Sequence, residues 1–213
     1  MAMTRKVAQT AVDLVIFRHG QTDWNVEGRI QGHLDVPLND VGRQQAKRLI
    51  EPLRRYEVEA FLSSDLSRAS ETAQIAADSL GLTVSTDPGL REIYLGKLQG
   101  LTREEIQTQF GHEFSDRLRH QPLTDADVIQ LGSESGEQVV ERSFKAILTF
   151  VESHPQFRKI GICSHGGVVR RLILHALQDE RFPPPTPNGV LYPFSLDLRE
   201  RKFRILPHSP FSK

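Results

Sequence analysis

The sequence LVIFRHGQTDWN at residues 14–25 decides the fold, because a strongly apolar run ends there at two basic side chains. Residues 12–17 are predicted to form a short strand in which only Asp13 is polar. Such apolar strands are typical of a sheet that is covered on both faces. Arg18 and His19 follow directly. A buried strand that ends in basic residues either leaves the core there or supports a binding site.

Predicted strands and helices alternate along the remaining chain. Further strands are predicted at residues 58–64, 82–86, 159–163, 190–198 and 202–206, the second at a sheet edge and the last two as a terminal pair. Helices are predicted at residues 40–55, 66–80, 135–154 and 166–177. Because of Pro52, the sequence does not determine the residue at which the first helix ends. The alternation predicts one domain over residues 1–213, a three-layer α/β/α fold with a mainly parallel sheet.

Helix starts carry recognisable capping residues. Asn39 is a predicted N-cap. Thr102 with Glu105, and Ser135 with Gln138, have the spacing of capping boxes.

Three segments lack this regularity. Residues 107–132 have weak periodicity and are expected to form a small cap over the carboxyl ends of the strands. Residues 1–11 are expected to be a flexible N-terminus, and the PPPTP run at residues 183–187 a stiff loop.

The composition limits the function. Lys+Arg and Asp+Glu each number 27, so the formal net charge is zero, and neither nucleic acid nor a membrane is an expected partner. The single cysteine, Cys163, excludes an intramolecular disulfide and is expected to be buried in packing. The first residues lack the apolar core of a secretory signal, and the longest apolar runs are shorter than a membrane span. We therefore expect a cytoplasmic protein.

Two histidine–glycine pairs follow predicted strands. His19 follows the first strand and His165 the strand at 159–163, and ligands of parallel sheets bind at that edge. Arg18 and Arg68 can join them, and arginine suits phosphate oxygens. Each of these residues alone is more commonly an ordinary polar or solvated side chain. Together they predict an anion site.

Four motifs in chain order carry a family resemblance: RHGQTDWN, SSDLSRASETA, LREIYLGKLQG and CSHGGVVR, between Arg18 and Arg170. They resemble the signatures of the histidine phosphatase superfamily, in its phosphoglycerate-mutase-like branch and of the small broad-specificity phosphatase type. The resemblance implies the phosphoglycerate-mutase-like fold and a covalent phosphohistidine intermediate that water hydrolyses.

The resemblance also implies residue roles. His19 is the expected nucleophile, a neutral ring whose other nitrogen bonds to a backbone carbonyl. Arg18, Arg68 and His165 are expected to hold the phosphoryl oxygens, and Glu92 to be the general acid. No metal and no cofactor is implied, because arginine and histidine supply the positive charge. Further residues expected to bind phosphate or substrate are Asn25, Gln31, Gly32 and Gly166.

The expected reaction is hydrolysis of a small phosphorylated metabolite. A cofactor-dependent phosphoglycerate mutase is the alternative, but such mutases resemble each other in a longer basic insertion after the acid. A catalytically inactive phospholigand-binding module is a third hypothesis, and it should lack at least one of His19, Arg68, Glu92 and His165.

The sequence does not choose the substrate. Residues in the expected cap are candidate selectors, although a solvated helix face explains them equally well: His112, Phe114, Arg117 and Arg119. A homodimer through the final strands is a further expectation.

Overall fold

The sheet matches the predicted order of elements. The computed structural model describes residues 10–121, 123–178 and 186–206. Its strands are β1 (Ala11–Arg18), β2 (Ala60–Ser63), β3 (Val84–Thr86), β4 (Lys159–Ser164), β5 (Leu191–Asp197) and β6 (Lys202–Ile205), in the spatial order β3-β2-β4-β1-β5-β6. The first four strands run parallel, whereas β5 is antiparallel to β1 and β6 to β5. The prediction of a mainly parallel sheet is confirmed, with β3 at one edge and the terminal pair at the other.

Helices cover both faces of the sheet. They are α1 (Asp23–Glu27), α2 (Asp40–Arg48), α3 (Ile50–Tyr56), α4 (Ser67–Leu80), α5 (Arg103–Phe110), α6 (His112–His120), α7 (Asp125–Leu131), α8 (Gly136–Ser153) and α9 (Gly166–Leu177). In β1, Leu14 and Ile16 pack into the cluster formed with α8 and α9, while Val15 and Phe17 pack into the cluster formed with α3 and α4. Side chains alternate across a strand, so β1 is apolar on both faces, and the three-layer prediction is confirmed.

The helix predicted at residues 40–55 is divided in two. α2 ends at Arg48 and α3 begins at Ile50, with Leu49 between them. Pro52 lies in the first turn of α3, where its missing N–H is tolerated, but in a continuous helix its ring would collide with the carbonyl of Arg48. Pro52 therefore explains the division.

The segment with weak periodicity folds into the short helices α5, α6 and α7. Leu98, Ile106 and Leu131 form a small apolar cluster there, separate from the two clusters on the sheet. The predicted capping box at Thr102 is present, and an unpredicted one at Thr124 begins α7. Helices this short repeat too few apolar positions to give a strong period, which is why the sequence pattern is weak.

Some expectations fall partly outside the described residues. Of the N-terminal residues 1–11, positions 1–9 are outside, while Ala11 already pairs with Asp197 of β5. Of the predicted loop at 183–187, the first three residues are outside. Among the helices of the described ranges, none combines the length and the apolar character needed to cross a bilayer.

Cys163 is fully buried in the cluster beside α4, as expected. Burial raises the pKa of its thiol, so it is not a nucleophile at neutral pH.

Candidate active site

β1 and β4 place two histidines side by side. Arg18, the last residue of β1, is in register with Ser164, the last residue of β4. The N–H of His19 continues this ladder by donating to the carbonyl of Ser164 at 3.0 Å. His165 follows at once, and the two imidazole rings lie 5.1 Å apart, centroid to centroid. The structure thus brings both predicted histidines together at the carboxyl edge of the sheet.

The ring of His19 is held through one nitrogen. Its Nδ1 lies 2.6 Å from the carbonyl oxygen of Gly20, so Nδ1–H donates and Nε2 keeps its lone pair. Burial, reinforced by Arg18 and Arg68, holds the pKa of His19 well below its usual value, which keeps the ring neutral. The Gly20 N–H donates to Thr72 Oγ1 at 3.0 Å, so the turn itself is anchored. The expected hydrogen bond to a backbone carbonyl is present.

Arg68 is fully buried beneath the loop that follows α1. Its guanidinium donates to the carbonyls of Leu34 at 2.9 Å and Gly32 at 2.8 Å. Burial lowers the pKa of Arg68 to about 10, so it remains charged at neutral pH. Gly32 has φ +53°, and a Cβ there would overlap the side chain of Gln99. Gly32 therefore positions Arg68 through its carbonyl, a contact that sequence reasoning did not predict.

Arg18 lies against the start of α9. Its Nη1 donates to the carbonyl of Thr186 at 3.2 Å, and a Cβ at Gly166 would come within 3.4 Å of its guanidinium carbon. The start of α9 therefore lies close against the Arg18 guanidinium. Burial lowers the pKa of Arg18, and Glu92 partly offsets the effect.

His165 bonds to a serine that the sequence did not single out. Its Nε2 lies 2.9 Å from Oγ of Ser64, the residue after β2. Burial lowers the pKa of His165 well below its usual value, with further contributions from Arg68 and His19. The ring is therefore neutral, like that of His19.

Glu92 sits at the N-terminus of α9. Its Oε2 accepts the N–H of Gly167 at 3.2 Å, and its Oε1 accepts the N–H of Ile93 at 3.0 Å. A Cβ at Gly167 would lie 2.5 Å from Oε1 of Glu92, so the glycine is what lets the carboxylate approach the helix. The Gly167 N–H at the start of α9 thus holds the carboxylate of the expected acid.

Arg142 on α8 supports the backbone of Glu92. It donates to the carbonyls of Gly89 and Arg91, both at 2.7 Å, and of Glu92 at 2.8 Å, while Glu134 accepts from its Nε at 2.8 Å. Sequence reasoning missed Arg142, because it lies inside an ordinary amphipathic helix, about 50 residues from the loop that it holds.

His33 adds a second donor to the same loop. Its ring Nε2 lies 2.7 Å from the carbonyl oxygen of Glu92, and its backbone N–H donates to Gln99 Oε1 at 2.7 Å. The backbone of Glu92 is thus held from two sides. His33 belongs to no motif that marked it beforehand.

Two of the predicted substrate contacts, Asn25 and Gln31, stay predictions. Asn25 forms a capping box with Thr22 at the start of α1, and its Oδ1 accepts the Thr22 N–H at 3.1 Å. Its visible role is therefore to hold the turn after His19. Gln31 is 8% exposed, and its Oε1 is buried without a hydrogen-bond partner among the described residues.

The assembled site suits an anion. Arg18 Nε, Arg68 Nε and His165 Nδ1 are buried without hydrogen-bond partners among the described residues. An unsatisfied buried donor costs about 1–3 kcal/mol, and an anionic ligand would satisfy such donors. Within the described ranges, no group of three or more His, Cys, Asp and Glu side chains is placed to hold a metal ion.

A sequence model of the histidine phosphatase superfamily (branch 1) matches residues 14–202, which is most of the chain. The chain belongs to the histidine phosphatase superfamily. The resemblance seen in the four motifs is thereby confirmed.

Relatives within the histidine phosphatase superfamily carry two kinds of name. The chain is 42% identical over 174 residues to phosphoglycerate mutase-like protein 4 of Arabidopsis thaliana, covering 79% of this chain and 73% of that one. It is 37% identical over 175 residues to a metal-independent phosphoserine phosphatase of the same plant, covering 81% and 72%. Among solved structures, the fold matches a mycobacterial glucosyl-3-phosphoglycerate phosphatase with a TM-score of 0.77 and 31% identity, covering 91% and 97%. The phosphoglycerate-mutase-like fold is confirmed.

Proposed function

We propose that the protein is a metal-independent phosphomonoester hydrolase that acts on a small phosphorylated metabolite through a phosphohistidine on His19. The observation that carries this proposal is the hydrogen bond of 2.6 Å between His19 Nδ1 and the Gly20 carbonyl. It leaves Nε2 unprotonated in a buried site with two cationic neighbours, Arg18 and Arg68. The phosphatase names of several relatives support the reaction class.

The first step transfers the phosphoryl group to the enzyme. Nε2 of His19 attacks phosphorus while the bond from phosphorus to the ester oxygen breaks. Glu92 in its protonated form gives that oxygen a proton, so the leaving group departs as an alcohol. Arg18, Arg68 and His165 donate to the phosphoryl oxygens, whose charge is spread in the transition state.

The second step regenerates the enzyme. A water attacks phosphorus, the bond between phosphorus and His19 Nε2 breaks, and the Glu92 carboxylate takes the proton of the water. Inorganic phosphate leaves, and Glu92 is again protonated for the next cycle. Its place at the N-terminus of α9 keeps the carboxyl group fixed through both steps.

Two arginines replace the charge that a metal ion would supply. Both keep positive charge near pH 7 although burial lowers their pKa values, and both histidines are neutral. Beside the protonated Glu92 that the first step requires, the two arginines leave a positive excess, which a phosphate ester offsets. The name of the metal-independent relative supports this part of the proposal.

The helices α5–α7 are proposed to be the cap. The N–H of Ile30 donates to the carbonyl of Leu101 at 2.9 Å, which ties the start of this segment to the loop that carries Gln31 and Gly32. Arg117, a candidate substrate selector, is instead bound by both oxygens of Asp127 at 2.7 Å. Arg117 is therefore a less favoured candidate for selecting the substrate. A screen of phosphate esters would identify the metabolite that the enzyme hydrolyses.

A phosphoglycerate mutase is the second candidate, because relatives with mutase names are among the matches. Arg117, one of the cationic side chains of α5–α7, is neutralised by its ion pair with Asp127, which gives this candidate less support. Incubation with 3-phosphoglycerate separates the candidates: a hydrolase releases inorganic phosphate, whereas a mutase yields 2-phosphoglycerate.

An inactive phospholigand-binding module is the least supported candidate, because His19, Arg68, Glu92 and His165 are all present and close together.

The cytoplasmic location and the homodimer expected from the sequence stay predictions. β6 pairs only with β5 in the described sheet, so one edge of β6 is where a second copy would add. Light scattering of the purified protein tests the dimer.

The reaction is tested with p-nitrophenyl phosphate in the presence of excess EDTA, using the wild type and His19→Ala. We expect hydrolysis that EDTA does not affect and that the substitution abolishes. Turnover that persists in His19→Ala contradicts the phosphohistidine mechanism, and activity that EDTA abolishes contradicts metal independence.

A further inference from the structure

We infer that Ser64 sets the tautomer of His165, so that Nδ1 of His165 carries the ring proton. Ser64 is fully buried, and its Oγ lies 2.9 Å from His165 Nε2. Its backbone N–H donates to the carbonyl of Cys163 at 3.0 Å, which fixes the serine beside the end of β4. Ser64 is a positioning residue, because its hydroxyl acts through the imidazole.

The hydrogen bonds of Ser64 decide the direction of the contact. A hydroxyl has one proton to donate and two lone pairs that accept. The N–H of Leu66 donates to Ser64 Oγ at 3.3 Å and occupies one lone pair. In the part of the chain that the structure describes, His165 Nε2 is the other hydrogen-bond partner of this oxygen. Nε2 is therefore the one acceptor that this part of the chain offers to the serine proton, and it accepts that proton only when it is itself unprotonated.

The opposite arrangement leaves more groups unsatisfied. If Nε2 held the ring proton, it would donate to Ser64 Oγ, and the serine proton would have no acceptor inside a fully buried site. Nδ1 would then present an unpaired lone pair. With the proton on Nδ1, the one unsatisfied group is Nδ1–H, which is buried without a partner among the described residues. Burying unsatisfied polar groups is unfavourable, so the tautomer protonated at Nδ1 is preferred.

The tautomer matters because the ring is neutral. Burial, followed by Arg68 and His19, lowers the pKa of His165, so charge does not supply a donor at both nitrogens near pH 7. With the proton on Nδ1, the ring can donate to a phosphoryl oxygen, whereas a lone pair at Nδ1 would repel that oxygen. This role at the phosphoryl group rests on the proposed function. The tautomer itself does not.

Nuclear magnetic resonance tests the tautomer in the unmodified protein. Histidine labelled with ¹⁵N distinguishes protonated from unprotonated ring nitrogens through two-bond correlations to the ring protons, at about pH 8 where neutral rings predominate. The chain has eight histidines, so the signals of His165 are assigned by their loss in His165→Gln. We expect Nδ1 protonated and Nε2 unprotonated. A wild-type spectrum with the proton of His165 on Nε2 overturns the inference.

Substitutions test the part played by Ser64. Ser64→Ala should move the ring proton of His165 toward Nε2 and lower kcat/KM for p-nitrophenyl phosphate by about 10- to 100-fold, a fraction of what losing a whole oxyanion donor costs. Ser64→Thr keeps the hydroxyl and should retain the Nδ1 proton. Ser63→Ala is the matched control, because Ser63 is equally buried and donates to the Ser64 carbonyl at 2.9 Å without bonding to His165.

The outcomes separate this inference from the proposed function. A Ser64→Ala protein that keeps the Nδ1 proton of His165 contradicts the inference, whatever its activity. Activity lost equally in Ser63→Ala would also contradict it. If the wild type hydrolyses no phosphomonoester but His165 carries its proton on Nδ1, the proposed function fails and the tautomer assignment stands.

Discussion

The rings of His19 and His165 lie 5.1 Å apart, centroid to centroid, in a site that also holds Arg18 and Arg68. Two protonated rings at this separation, beside two arginines, would repel one another and the arginines strongly inside the protein. Burial and the two arginines instead keep the pKa values of both histidines well below the usual range. The pair therefore consists of two neutral rings, and the arginines carry the positive charge.

The first prediction concerns stability in acid. Below about pH 6.5 the histidines of the unfolded chain bind protons while His19 and His165 do not, so the unfolded state binds more protons and unfolding becomes more favourable. The free energy of unfolding should therefore fall as the pH drops from 7.5 to 5.0, in urea titrations at both values. His165→Gln should reduce the change in the free energy of unfolding between pH 7.5 and pH 5.0. Replacing the exposed His112 by Gln should not, and an equal effect of the two variants would contradict the account.

The second prediction compares two glycines with positive φ. Gly32→Ala should displace Gln99 and shift the carbonyl that binds Arg68, so we expect kcat/KM to fall by at least about tenfold together with lower stability. Gly28→Ala is the matched control: Gly28 has φ +67° but open space around a Cβ. It should cost about 1–2 kcal/mol of strain and leave activity unchanged. Equal activity of the two variants would show that the loop carbonyl does not position Arg68.

The third prediction concerns Arg142. Arg142→Gln removes one of the two side chains that hold the carbonyl of Glu92, so proton donation to the leaving group should suffer most. An alkyl phosphate needs that proton, whereas p-nitrophenolate departs without it, so kcat should fall more for the alkyl ester. Arg54→Gln, in an exposed ion pair with Glu51, is the control. A loss of equal size for both esters would mean that Arg142 acts on general stability alone.

The fourth prediction is inhibition by vanadate, which resembles five-coordinate phosphorus. Arg68 is held by the Gly32 and Leu34 carbonyls, so its charge is fixed beside His19. Millimolar vanadate should inhibit p-nitrophenyl phosphate hydrolysis, and Arg68→Lys should weaken that inhibition by about tenfold, because lysine lacks the planar fork. Absence of inhibition in the wild type would count against the pocket.

Much of the fold follows from local pattern. The apolar run at 14–17 predicts β1, and Gly81, which has φ +69°, ends α4 at the expected place. The sequence did not predict the break at Leu49, because propensity alone does not tell whether Pro52 begins or ends a helix. Nor did it predict α7, whose seven residues are too few for a period to show.

In the candidate site, too, some residues could be predicted from the sequence and others could not. His19 and His165 were found because each follows a strand whose end is readable from sequence. Ser64, Arg142 and His33 were not, because each acts through a contact with residues distant in the chain. A hydrogen bond between residues so far apart in the chain produces no periodic pattern and no characteristic spacing in the sequence.

The most direct test of the central claim is capture of the phosphorylated enzyme. The wild type is mixed with p-nitrophenyl phosphate, quenched in alkali to preserve phosphohistidine, digested and examined by mass spectrometry. We predict one acid-labile phosphoryl group on His19, absent from His19→Ala. Phosphate found on another residue, or turnover with no phosphorylated enzyme and with inversion of configuration at phosphorus, would contradict the account.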